Sequence, residues 1–173
     1  MPDNPNLNNR RLMSATNAHE VFSPQEHLRP MNEYLTEVSD DAGDYCLIRC
    51  TLPAGAVVPM HSHADRETFY VVSGTIEGLR DDRWEELGPG DIIDVRDGAR
   101  HAWRNASQTA ATMICVTTTK MARFLQAVSA AGPSPDEQAA RFLRLVRANG
   151  YWLASPEENA AIGLDVNWGN SRN

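Results

Sequence analysis

Lysine is almost missing from this chain. Lys120 is the only one, and arginine supplies the rest of the 16 basic residues. Against 23 Asp and Glu the formal net charge is -7, and the arginines form no dense cluster. So little positive charge excludes the phosphate-neutralising face that a nucleic-acid binder needs and argues against docking on anionic lipid. Cysteine is scarce too: Cys46, Cys50 and Cys115 each lie in an apolar run. An odd number without close pairs is no disulfide framework, so they read as small buried core residues in a reducing compartment. Long hydrophobic runs are absent. Nothing approaches the length of a membrane span, and the opening MPDNPNLNNRRLMSATNAHE has no apolar core of the signal-peptide kind. The expectation is a cytoplasmic protein with neither nucleic acid nor membrane as partner.

What is present is enough for one well-packed domain with an appendage: 173 residues, of which 42% are hydrophobic. Residues 1–34 read as a polar, asparagine-rich arm, with His19 and His27 as surface histidines and a first strand beginning near Asn32. From Tyr45 short runs alternate apolar and polar: YCLIRCTL, ETFYVV, TIEGL, WEEL, DIIDV, HAWRN and AATMICVTT. Turn residues separate them at RDDR, GPGD, RDGA and NASQT. About eight strands at roughly 8–12-residue spacing, with no helical crossover, predict an all-β antiparallel sandwich or barrel. From residue 119 to 173 the period lengthens to that of helices. Met121, Phe124, Leu125 and Val128 mark the first. Ser134-Pro135 with Glu137 opens a second that stops at Asn149-Gly150, and Ser155-Pro156 opens a third.

Chemistry concentrates in GAVVPMHSHADRETFYVVSG. His61, His63 and Glu67 stand two and four residues apart, and on an extended backbone such positions share a face. Two imidazoles and a carboxylate suit a divalent cation. A later stretch, GDIIDVRDGARHAWRN, adds His101. Phe69 and Val71 follow Glu67 at the strand period and Trp103 follows His101. They offer an apolar, partly aromatic lining for a small flat ligand.

The two stretches together resemble the paired motifs of the cupin family. The first runs Gly55, five residues, His61, one, His63, three, Glu67, six, Gly74. The second runs Gly90, five, Arg96, one, Gly98, two, His101, three, Asn105. The family pattern has proline where Arg96 stands, at a turn position outside the ligand set. The resemblance implies an antiparallel jelly-roll barrel over about residues 35–118 in which His61, His63, Glu67 and His101 hold iron, nickel, manganese, zinc or copper. A looser similarity, through FYVVSGTIEG and the C-terminal helices, is to small single-barrel cupins named after quercetin dioxygenase. Its motifs do not fix a substrate; the first hypothesis is a metal-dependent dioxygenase acting on a small enol or hydroxy-ketone, with Glu67, the one ligand that can also take a proton, as catalytic base.

Other readings stand beside this one. The same ligands suit an oxygen-independent isomerase, lyase or decarboxylase, and the fold by itself also suits a non-enzymatic small-molecule-binding protein. The histidines could be polar core residues without metal, or hold a structural ion. Phe69, Val71 and Trp103 could be plain core. Exposed sheet edges predict a homodimer.

Overall fold

The computed structural model describes residues 29–39, 44–96, 98–130 and 134–166. His19, His27, Gly132 and the terminal segments lie outside these. The chain runs β1 (Met31–Tyr34), β2 (Tyr45–Leu52), β3 (Val57–Ser62), β4 (Glu67–Ser73), β5 (Ile76–Arg80), β6 (Arg83–Leu87), β7 (Ile92–Val95), β8 (His101–Arg104), β9 (Ala111–Thr118), α1 (Thr119–Ser129), α2 (Pro135–Ala148), β10 (Trp152–Leu153) and α3 (Pro156–Ala161).

Two five-stranded sheets result, ordered β1-β2-β9-β4-β7 and β10-β3-β8-β5-β6. Every described pairing is antiparallel. This mostly-β double sheet fits a jelly roll. Among the described residues it is a pair of sheets, with no hydrogen-bonded ring closing them into a barrel. Strand β1 begins within one residue of the expected Asn32 and pairs with β2, so the first sheet begins inside the segment read as an arm. Strand β10 was not foreseen; it carries the second sheet beyond residue 118.

Alternation along the strands explains the layers. Cys46, Ile48, Cys50 and Leu52 of β2 point inward, as do Phe69 and Val71 of β4, Ile93 and Val95 of β7, and Met113 and Cys115 of β9. They meet Ile76, Leu87 and Trp103 from the second sheet in one cluster. Each large side chain buried there contributes about 1.5–3 kcal/mol relative to exposure. The second sheet also buries its outer face. Met60, Leu79 and Ala102 pack under Ala154 and Leu164 of the C-terminal segment, with Trp84, Trp152 and Ile162 at the margin. All three cysteines are buried and free.

The turns obey local chemistry. Asp81 and Asp82 take φ of 51° and 60°, the doubly left-handed turn that suits a two-residue hairpin. Gly74 has φ +76°, and a β-carbon there would lie 2.6 Å from the Ala110 carbonyl; only glycine fits. The helices start at Thr118, Ser134 and Ser155, whose side chains each accept an N–H of the first turn. The reciprocal capping box is complete at α3. At α2 the Glu137 carboxylate instead accepts from the Ser134 hydroxyl.

Candidate metal centre

The straight-strand picture of His61, His63 and Glu67 is corrected by the structure. Strand β3 ends at Ser62, the chain turns, and Glu67 opens β4 in the opposite sheet. The histidines lie on or beside the second sheet and the carboxylate comes from the first, so the group converges across the sandwich.

A bulge makes this possible. Val58 pairs with Trp103, but His61 pairs with His101, so the register slips between them. Val58 packs on the inner core, whereas Met60 belongs to the outer cluster. The extra residue therefore reverses the alternation and turns His61 inward, opposite His101.

The three imidazoles then gather. Their ring centroids are 4.1 Å (His61–His101), 5.0 Å (His63–His101) and 5.5 Å (His61–His63) apart. One ligand atom from each lies within 4.8 Å of the other two. In every ring Nδ1 meets a backbone carbonyl: His61 with Pro59 at 2.7 Å, His63 with Asp65 at 2.8 Å, His101 with Ala99 at 3.0 Å. A carbonyl only accepts, so each Nδ1 carries the hydrogen and each Nε2 keeps its lone pair free for a cation. Glu67 Oε2 stands 3.4 Å from Nε2 of both His63 and His101. Those two Nε2 atoms are buried without a hydrogen-bond partner. Buried polar atoms are seldom left so. The donor set, neutral nitrogens beside a carboxylate, fits a divalent cation.

Electrostatics set the groups apart. Burial, aided by His101, lowers His61 from 6.5 to about 3, so it is neutral at physiological pH. For His63, burial is outweighed by Glu67 and the pKa rises. Burial acts to raise Glu67, but His101 and His63 prevail and bring it from 4.5 to about 2. A buried anion of this kind calls for a positive partner.

Several supporting groups escaped the sequence reading. Asp65 is buried and accepts from Tyr151 Oη at 2.6 Å and Thr118 Oγ1 at 2.5 Å, with Lys120 Nζ at 3.5 Å. The Tyr151 ring also lies 5.3 Å from that of His63. Thr117, paired with Glu67 across β4 and β9, has a buried hydroxyl with no hydrogen-bond partner. Sequence gives little warning of such links, because Tyr151 is 86 residues from Asp65. Asn105 closes the second motif as a structural pin. Its Nδ2 donates to Leu52 and Thr109 carbonyls, and its backbone pairs with Gly55 and Ala56. The turn at exposed Arg96 is held without proline by Ala99 N–H to the Arg96 carbonyl and Gly98 N–H to that of His63.

Phe69, Val71 and Trp103 are buried in the inner cluster, and the Phe69 and Trp103 rings stack edge-on at 4.6 Å. Phe69 and Trp103 each lie one strand period beyond a site residue, on the same face of their strands. A polar cleft of about 460 Å³ opens elsewhere, beside Asp65, Thr118, Lys120 and Arg123.

Two antiparallel sheets bring three histidines together in a group whose ligand atoms could hold a metal ion. Residues 48–117 match the family described as Cupin domain. That match spans 70 of the 173 residues. No curated protein matches the chain. Among solved structures it is similar to the polyketide cyclase RemF from Streptomyces resistomycificus, with 22% identity, TM-score 0.49, and coverage of 52% of this chain and 65% of that one. It is similar to a double-stranded β-helix protein from Klebsiella pneumoniae, with 21% identity, TM-score 0.46, and coverage of 59% and 91%. It is also similar to a sugar phosphate isomerase of the cupin superfamily from Silicibacter pomeroyi, with 22% identity, TM-score 0.47, and coverage of 51% and 59%. The match takes in less than two thirds of the cyclase and of the isomerase. Likenesses of this grade assign no activity to this chain. No described helix is long and apolar enough to cross a membrane.

Proposed function

We propose that this cupin domain is a metal-dependent enzyme in which His61, His63, His101 and Glu67 hold a divalent iron, nickel, manganese or zinc ion. One observation carries the reading: two buried, partnerless Nε2 atoms lie 3.4 Å from one carboxylate oxygen, with the third imidazole in the same tautomer beside them. When bound, the ion supplies Lewis acidity toward a ligand oxygen. The protein's own residues do the rest. The Nδ1 hydrogen bonds hold the rings in a single orientation. Phe69 and Trp103 make an apolar floor, with Val71 behind, that suits a small flat substrate and excludes water. Glu67 is the one member of the set able to take a proton from a substrate hydroxyl, and it gains basicity as its contacts to His63 and His101 loosen.

The reaction we favour is dioxygenation of a small enol or hydroxy-ketone. Purified protein, loaded in turn with each metal, is assayed for oxygen uptake with flavonols and other enediols. Uptake matched by substrate loss supports the dioxygenase. Turnover persisting under strict anaerobiosis replaces it with an isomerase or lyase. Tight binding without turnover replaces it with a binding protein. We propose a homodimer in the cytoplasm, with a small molecule and no nucleic acid or membrane as partner. The exposed edge strands β1, β6 and β7 support the dimer.

A further inference from the structure

The bulge between Val58 and His61 leaves backbone groups that β8 does not pair, and their accounting is complete. Pro59 has no N–H, and its carbonyl accepts from His61 Nδ1. The Met60 N–H donates to Asn159 Oδ1 at 2.9 Å, and the Met60 carbonyl accepts from the Ala154 N–H at 2.9 Å. Asn159 is fully buried, and its Nδ2 donates back to the Ala154 and Ser155 carbonyls. Just before, Trp152 and Leu153 pair with Ser62 and His61. Tyr151 bonds the Asp65 carboxylate, and the carbonyl of that same Asp65 orients His63. Residues 151–159 thus grip the histidine-bearing segment at three successive points, from outside the stretch that matches the cupin domain.

We infer that this C-terminal strap is part of the metal centre. Asn159 is a positioning residue for His61, because it holds the bulge that turns the ring inward. Tyr151 is a positioning residue for His63. The inference rests on the metal-centre reading for its consequence, metal affinity, but its geometric half can be read in metal-free protein.

The test uses the full chain, with Asn159→Ala, Tyr151→Phe and, as a control at a helix cap outside the strap, Ser134→Ala. Affinity for Co2+ and Zn2+ is measured by competition with a chelator. Imidazole tautomers are read in the metal-free state by long-range proton–nitrogen NMR. Supporting-residue changes at metal centres typically cost 10–100-fold in affinity, and Asn159→Ala is expected to lose about that much. Its His61 signals should pass from a single Nδ1–H tautomer to a mixture while those of His101 stay unchanged. Tyr151→Phe should shift His63 and leave His101 in place. Ser134→Ala should alter neither affinity nor tautomers. A folded Asn159→Ala protein with parental affinity and parental His61 signals overturns the inference. If that variant does not fold, unchanged His63 signals in Tyr151→Phe overturn it. If the parent holds neither metal while His61 still responds to Asn159→Ala, the metal-centre reading fails and the strap stands.

Discussion

His61, His63 and His101 offer the same nitrogen because each has its other nitrogen tied to the carbonyl of a residue two positions away. Replacing His101 by Ala should remove a ligand without disturbing the strap, and chelator competition should show metal affinity reduced by at least about 100-fold, beyond the effect of supporting residues. Acidity offers a second check on the metal-free protein. His61 has its folded pKa lowered from 6.5 to about 3, so below pH 6.5 the unfolded chain takes up a proton that the folded chain refuses. Stability must then fall as pH drops through that window. His63 has the opposite sign. Its raised folded pKa gives stability that is full below 6.5 and lost as pH rises through the folded value, so it adds no slope below 6.5. Glu67, lowered from 4.5 to about 2, joins only below 4.5. Between pH 6.5 and 4.5, His61 is therefore the displaced group that sets the slope among those described. Urea midpoints should decline across that interval in the parent, and His61→Gln should flatten the decline. The residue types and spacing of the site were readable in the sequence because they are short-range. Asp65 with Tyr151, and the hydroxyl of Thr117, were not, since each acquires its meaning from a neighbour on a distant strand or segment.

Elements whose signals are local were anticipated well. Alternation marked β2, β4 and β9, and Ser-Pro pairs marked the starts of α2 and α3. Two elements gave no such signal. The bulge lies in VVPMHS, where residues on both faces become at least partly buried, so a reversal of alternation leaves no trace in hydropathy. Strand β10 is two residues long and exists because β3 offers it an edge. Two substitutions test the local claims. Ser155→Ala removes the α3 capping box and should cost about 1 kcal/mol in equilibrium denaturation. Gly74→Ala combines a left-handed backbone with contact at 2.6 Å to the Ala110 carbonyl. It should cost more than that, about 2 kcal/mol or above, and show as a lower melting temperature.

For the molecule as a whole, strand spacing announced an antiparallel β class, but the order of strands within each sheet depends on contacts between distant residues that no window of sequence displays. The homodimer proposal also belongs to this scale. Light scattering at micromolar concentration should return twice the 19.2 kDa chain mass; a single-chain mass would refute it. The placement of Glu67 on one layer and the imidazoles on the other has a mechanical corollary. On the proposed reading, a cation held by both would work as a rivet through the sandwich, resisting slippage of one layer over the other at that end. Stripping it with chelator should let the two layers breathe. Faster amide exchange should appear at β3, β4 and β8 together, while the far end near Leu52 and Ala111 keeps its parental rates.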